Sequence, residues 1–196
     1  PFDDSEWQIW GCSPGIAENF TTFCDLPRLD AWFELHRFDE PSLAEKFNAD
    51  GIEAYRVWMR KLAADGVQVV TQEPIDGGTS YPIDDITNQF GSYFTNTISY
   101  MLAYAIKEGA TDIFIAGVDM AAIDEYGSQR PSCEYHIGLA RGMGINVTIP
   151  LTSDLLKCRN LYAFAAEDAY AAKYKVRTAE LSGRANQAKH AMELFS

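Results

Sequence analysis

The chain has 196 residues, 47% of them hydrophobic and 22% charged, and it carries a formal net charge of −12. Those values describe an ordinary soluble globular protein, most simply one domain with room for a sizeable core. No cluster of Lys and Arg offsets the acidic balance, which argues against nucleic acid as a main partner and leaves at most a local basic pocket for one phosphate group.

No run approaches 18 apolar residues and no signal peptide is visible, so no membrane span is expected and the expected location is the cytoplasm. The chain starts at Pro1, and a leader or segment ahead of it stays open. Cys12, Cys24, Cys133 and Cys158 lie far apart with no CxxC, which argues against zinc and for reduced thiols.

Pro1 to Glu6 is polar and irregular. Trp7 to Gly11 predicts a first strand, feeding Gly11-Cys12-Ser13-Pro14-Gly15. Small residues there let a ligand approach the backbone, and they equally suit a plain turn. Ala31 to His36 predicts a second strand, with His36 at its carboxyl end as a structural hydrogen-bonding group or a site residue. Ser42 to Ala64 holds two helical pieces with a break or fresh start at Ala49-Asp50-Gly51. Ile52, Tyr55, Met59 and Leu62 make the apolar stripe, and Gly66 is the stop. Val67 to Thr71 reads as a short buried strand. Gln72 to Phe90 is rich in Pro, Gly, Asp and Thr with little periodicity, and reads as a long loop, either functional or a surface excursion.

Ser92 to Ser153 is the most strongly patterned stretch. Ile98, Met101, Leu102, Ala105 and Ile106 line one face of a helix that Gly109 closes. Ile113 to Ala116 runs apolar without alternation, as a strand covered on both faces does. Gly117-Val118-Asp119 leaves that strand at its carboxyl end, where ligands bind in open α/β sheets. Asp124 to Ser132 reads as a polar loop. Cys133, Ile137, Ala140 and Met143 stripe the next helix, and Ile145 to Ile149 is the returning strand. Thr152 to Leu156 suggests a short capped turn beside the sheet. From Leu161 a long helix is expected, in which Tyr174, Thr178, Leu181, Ala185, Ala188, Met192 and Phe195 form a narrow heptad seam. Gly183 weakens it by about 1 kcal/mol. A seam so narrow favours packing on another helix, and so a homo-oligomer contact, over an amphipathic helix folded back on its own domain.

Strands near 7–11, 31–36, 67–71, 112–117 and 145–149, joined by helix-length crossovers, predict an α/β fold. It should be a three-layer, Rossmann-like, mostly parallel sheet with helices on both faces over residues 1–158, followed by a C-terminal helix in 159–196.

The order Thr95-Asn96-Thr97-Ile98-Ser99-Tyr100, Ile113 to Asp119, a helix, Ile145 to Pro150 and Ser153-Asp154-Leu155-Leu156 resembles the core of the bacterial CMP-sialic-acid-dependent sialyltransferases that build lipooligosaccharide. It is also similar to the archaeal-type 6-hydroxymethylpterin diphosphokinases. It looks closest to uncharacterised proteins commonly carried by phages, whose setting would be the host cytoplasm. The resemblance covers Trp7 to Leu156 in order of elements and Thr95 to Leu156 residue by residue. It implies a nucleotide lying across the strand ends. Ser13 matches a polar loop position of the family, and His36 falls near one of its asparagines. Thr95, Asn96 and Thr97 match its Thr-Ser-Gly turn, Asp119 its Gly-Ile-Asp aspartate, and Tyr126 lies near a phosphate-holding tyrosine. Two departures stand out: Gly127 to Ser132 lacks the family's general-base histidine, and its opening strand would lie upstream of Pro1.

The residues taken alone allow similar chemistry. The helix start at Thr95-Asn96-Thr97 suits a phosphate, or simply an N-cap. Asp119 suits ribose or a metal, and Arg130 a bidentate phosphate clamp. Glu134 and His136, two apart on a helix, point to different faces. GxGxxG, P-loop, nucleophile-elbow and HExxH motifs are absent from the sequence. The expectation is a glycosyltransferase-like enzyme that takes a nucleotide-activated donor as substrate. His36, Asp119 or Glu134 would serve as base, and Ser13, Thr95, Asn96, Thr97, Tyr126, Gln129 and Arg130 would bind the nucleotide. Alternatives are a pterin or nucleotide diphosphotransferase with Mg²⁺ on Asp119 and Asp124 or Glu125, and a non-catalytic nucleotide-binding or phage structural protein whose site has decayed.

Overall fold

Short parallel strands alternating with helices organise the chain, and they fall into two compact units, Pro1–Tyr93 and Phe94–Ser196. The structure is a computed structural model that describes residues 2–12, 27–39, 49–120, 126–158, 162 and 169–194. Ser13, Asp124 and Glu125 therefore lie outside the described residues, as does the chain just before Ala49.

The first unit contains β1 (Trp10–Cys12), β2 (Ala31–Glu34), α1 (Ala49–Ala64), β3 (Gln68–Thr71), β4 (Thr79–Ser80) and α2 (Ile83–Phe90). Its four strands pair in chain order, all parallel, with Trp32 beside Val69 and Glu34 beside Thr71. All four residues of β2 are buried, as a central strand requires. Alternation sends Trp32 and Glu34 to one face and Ala31 and Phe33 to the other. Trp32, Tyr55, Met59 and Val69 form the core under α1, with Phe38 at its edge. Trp32 and Trp58 pack edge to face, with ring centroids 4.9 Å apart.

The 72–90 segment is not the plain loop expected. It holds β4 and the eight-residue helix α2, whose Ile86 and Phe90 are buried one turn apart. Ile83, Ile86 and Phe90 do keep helical spacing, but the polar residues between them hide it.

The second unit contains α3 (Thr97–Lys107), β5 (Asp112–Phe114), α4 (Tyr126–Gly142), β6 (Asn146–Thr148) and α5 (Ala169–Leu194). β5 and β6 pair in parallel, Ile113 beside Val147. The α/β class, the parallel pairing and the long C-terminal helix thus stand as the strand–helix alternation predicts. Leu102, Ala103, Ala105 and Ile106 of α3, Cys133, Ile137 and Ala140 of α4, and Val147 are buried. Gly109, at φ 81°, ends the α3 turn in a conformation that disfavours a side chain.

Two local expectations fail here. Phe114 is 52% exposed while Ile115 is buried, so β5 alternates instead of being covered on both faces. Its one hydrogen-bonded neighbour among the described residues is β6, and a two-stranded ribbon leaves apolar surface open. The polar stretch from Tyr126 to Ser132 is the first part of α4 rather than a loop, with Pro131 inside the helix. A proline there removes one i→i−4 hydrogen bond, yet the helix continues through it. No helix among the described residues is long and apolar enough to cross a membrane.

Two glycines separate packing from propensity. A Cβ on Gly11 would sit 2.7 Å from the Trp32 ring, whereas one on the exposed Gly138 of α4 meets nothing within 4 Å. Gly11→Ala should destabilise by about 1–3 kcal/mol, and Gly138→Ala should stabilise by up to about 1 kcal/mol. Urea unfolding of both variants reads the opposite signs.

Candidate functional site

In the first unit the site grows from one misplaced charge. Glu34 ends β2 with its side chain fully buried, where an ionised carboxylate must be surrounded by donors. Its Oε1 accepts from the His36 backbone N–H at 2.9 Å and lies 2.8 Å from His36 Nδ1. Its Oε2 accepts from the Tyr55 hydroxyl at 2.8 Å, and that hydroxyl in turn accepts from Trp32 Nε1 at 2.8 Å. An ionised carboxylate only accepts, so Nδ1 carries the imidazole proton and Nε2 is the basic nitrogen. The His36 side chain is 44% exposed at the carboxyl end of β2, and its Nδ1 is held by the buried carboxylate.

Thr71, in register with Glu34 on the next strand, is buried, and its Oγ1 has no hydrogen-bond partner. The Cys12 thiol at the end of β1 is pushed up to about 11, first by burial and then by the Glu34 charge, so it stays protonated at neutral pH.

The second unit holds the other described candidates, each engaged by its own fold. Asn96 is the N-cap of α3, in extended conformation, with Oδ1 accepting from Ser99 N at 2.8 Å. Its Nδ2 donates to Gln129 O at 2.7 Å. Thr95 Oγ1 donates to Ser128 O, and its backbone N–H donates to Ser132 Oγ at 3.1 Å. The α3 cap is thus tied to the carbonyls just ahead of Pro131, and a phosphate at this helix start would have to displace those bonds. Thr97 is the half-buried first residue of α3. Gln129 takes part in this network through its carbonyl. Tyr126 opens α4.

Arg130 Nε bonds Glu134 Oε1 at 2.7 Å, one turn on, and Arg130 also donates to Lys157 O at 2.8 Å. The same Glu134 oxygen accepts from Leu156 N at 2.7 Å, where Leu156 takes a left-handed φ of 57°. Asp119 Oδ1 and Asp154 Oδ1 both accept from Lys173 Nζ, at 2.8 and 2.5 Å, and Asp119 O accepts from Asp154 N. Burial alone would lower the Lys173 pKa, but the two carboxylates outweigh it and hold the ammonium above its usual range. Asp119 already carries a cation. Among the described residues no group of three His, Cys, Asp or Glu is set to hold a metal.

Arg130, Glu134 and Asp119 are therefore brought together around the 151–157 turn, as braces that fasten α4 and α5 to it. His36 belongs to the first unit. The residues missed by sequence reasoning are Glu34, Tyr55 and Lys173. An acidic residue inside the apolar run Ala31-Trp32-Phe33 was the available signal for Glu34. Nothing in the spacing ties Tyr55 or Lys173 to its partners, 21 and 54 or 19 positions away.

His136 is buried in α4, stacked on Phe94 at 4.5 Å, with Nδ1 donating to Ser132 O at 2.8 Å and Nε2 unpartnered. Burial pulls its pKa below the usual 6.5, outweighing the opposite pull of the Ser132 carbonyl. Comparison with protein-family models, curated proteins and solved structures returns no significant match.

A depressed histidine pKa means the unfolded chain takes up the proton first. The contribution of His136 to stability is therefore complete above the unfolded value of 6.5 and is lost as pH falls below it. Unfolding free energy should decline on acidification below that value, by at most about 1.4 kcal/mol per pH unit from this one group. His136→Phe, which keeps the ring stack, should remove that part of the slope in denaturant titrations at several pH values.

Proposed function

We propose that the chain is a glycosyltransferase-like group-transfer enzyme in which His36 is the general base and a nucleotide-activated sugar is the donor. The observation that carries the reading is the 2.8 Å contact between His36 Nδ1 and the fully buried carboxylate of Glu34. In this chemistry Nε2 takes the proton of an acceptor hydroxyl as its oxygen attacks the anomeric carbon of the donor. The bond from that carbon to the phosphate oxygen breaks, and the nucleotide leaves with the electron pair. Glu34 holds the ring in one tautomer and stabilises the imidazolium that forms. The donor class rests on the resemblance described under Sequence analysis, which also left the position of the base open.

The unit-two candidates favour a second reading for themselves. Asn96, Arg130, Glu134 and Asp119 are each satisfied by internal bonds, as in a non-catalytic or phage structural protein that keeps the fold. The Mg²⁺-dependent diphosphotransferase has less support, because Lys173 occupies the carboxylate such an ion would use.

Thermal-shift measurements with a panel of nucleotides and nucleotide sugars, with and without Mg²⁺, should show stabilisation by at least one nucleotide sugar. Nucleotide release from that donor should then fall by about 10²–10⁴-fold in His36→Ala. Its melting temperature should fall as well, because the buried Glu34 carboxylate loses one of its three donors, so release is compared at a temperature where both proteins are folded. Glu34→Gln should lower turnover more than donor affinity. A panel with no stabilising member, or full turnover by His36→Ala, contradicts the proposal.

A further inference from the structure

Helix α5 (Ala169–Leu194) is held to its unit through Lys173, which bonds Asp119 and Asp154, and its residues from 174 to 190 are largely exposed. Of residues 171–190 only Lys173 is buried and Glu180 half-buried; the rest are exposed, Tyr174 by 62% and Leu181 by 50%. The helix also has the opposite charge to the rest of the chain. Lys173, Lys175, Arg177, Arg184 and Lys189 stand against Glu180 and Glu193, a net of +3 in a chain of −12. The Pro1–Tyr93 unit holds seventeen acidic residues against six basic ones, a net of −11.

The cations are not scattered round the helix. With Tyr174, Thr178, Leu181, Ala185 and Ala188 on the seam, the positions flanking it include Lys175, Arg177, Arg184 and Lys189, and no acid. Glu180 lies off the seam and bonds Arg177 at 2.7 Å and Arg184 at 2.6 Å, which fixes both guanidinium groups along the helix. Flanking charges decide the partners of such a helix. A parallel pair of α5 helices would set Arg184 of one against the partner's Lys189, and an antiparallel pair would set cations against cations along both edges. Both arrangements are repulsive, so the symmetric helix pair that the heptad spacing suggests is disfavoured by its own edges.

We infer that the uncovered face of α5 docks on the acidic Pro1–Tyr93 unit of a second copy of this chain. Charge complementarity selects that occupant. The acidic surface is built into the same sequence and is present at the same concentration as the helix. Tyr174 and Leu181 supply apolar area between the basic edges. Residues 174–190 run about 25 Å at 1.5 Å per residue, long enough to lie across a small domain. The contact joins two different surfaces, so it closes as a reciprocal two-fold dimer, with each helix on the other copy's unit, or propagates as a ring or open chain.

Sedimentation velocity of the full chain over a concentration series tests the assignment. In about 0.05 M salt the chain should self-associate, and about 0.5 M salt should weaken that association about tenfold or more. Lys175→Glu with Lys189→Glu, both at exposed positions, should weaken it at least as much in low salt. A symmetric helix pair predicts the reverse, because a carboxylate at 189 would attract the partner's Arg184 and tighten the pair. A wild-type chain that stays monomeric at low salt, or a double variant that associates as well or better, overturns the inference.

Discussion

A carboxylate buried at the end of β2 is the constraint to which the first unit answers. An ion taken out of water costs several kcal/mol unless donors surround it, and Glu34 is surrounded by three. The backbone of His36 bends back to give one, the His36 ring a second and Tyr55 of α1 a third. Tyr55 reaches its place because it also accepts from Trp32, which in turn requires a glycine at position 11 beneath its ring. One chain of contacts therefore runs from the packing of β1 on β2, through the docking of α1, to the tautomer of an exposed imidazole. Fold and chemistry share the same atoms there.

The second unit uses similar side chains for a different end. Lys173, with its side chain only 8% exposed, bridges two aspartates, while Arg130 and Glu134 clasp the turn that carries Leu156 in a left-handed conformation. Such a backbone costs roughly 1–2 kcal/mol for a residue with a Cβ, and the bond from Leu156 N to Glu134 offsets part of it. Asn96 closes α3 and reaches α4 with the same amide group. Residue types that suit a nucleotide pocket thus also suit the joints of an α/β unit, and hydrogen-bond partners separate the two uses.

The sequence was legible where one periodicity dominated. The apolar stripe from Ile98 to Ile106, the run Val67 to Thr71 and the close at Gly109 gave α3, β3 and the α3 stop, because each feature is local. Burial of β5 was misread, since an apolar run alone does not say whether one face or two will be covered. Pro131 disguised the start of α4, and three apolar residues among polar ones concealed α2. His36 was legible as a candidate from its place at a strand end. The role of Glu34 was not, because it depends on a hydroxyl 21 positions away that only the packing of α1 brings within reach.

The account turns on which nitrogen of His36 carries its proton. Two-dimensional ¹H–¹⁵N correlation through the ring couplings of histidine-labelled protein at neutral pH reads this directly. The account predicts the Nδ1–H tautomer for His36, converting to the Nε2–H form common in solution when Glu34 is replaced by Leu, which offers no acceptor. An Nε2–H tautomer in the unmodified protein would mean that Glu34 does not hold the ring, and the proposed base would lose its basis.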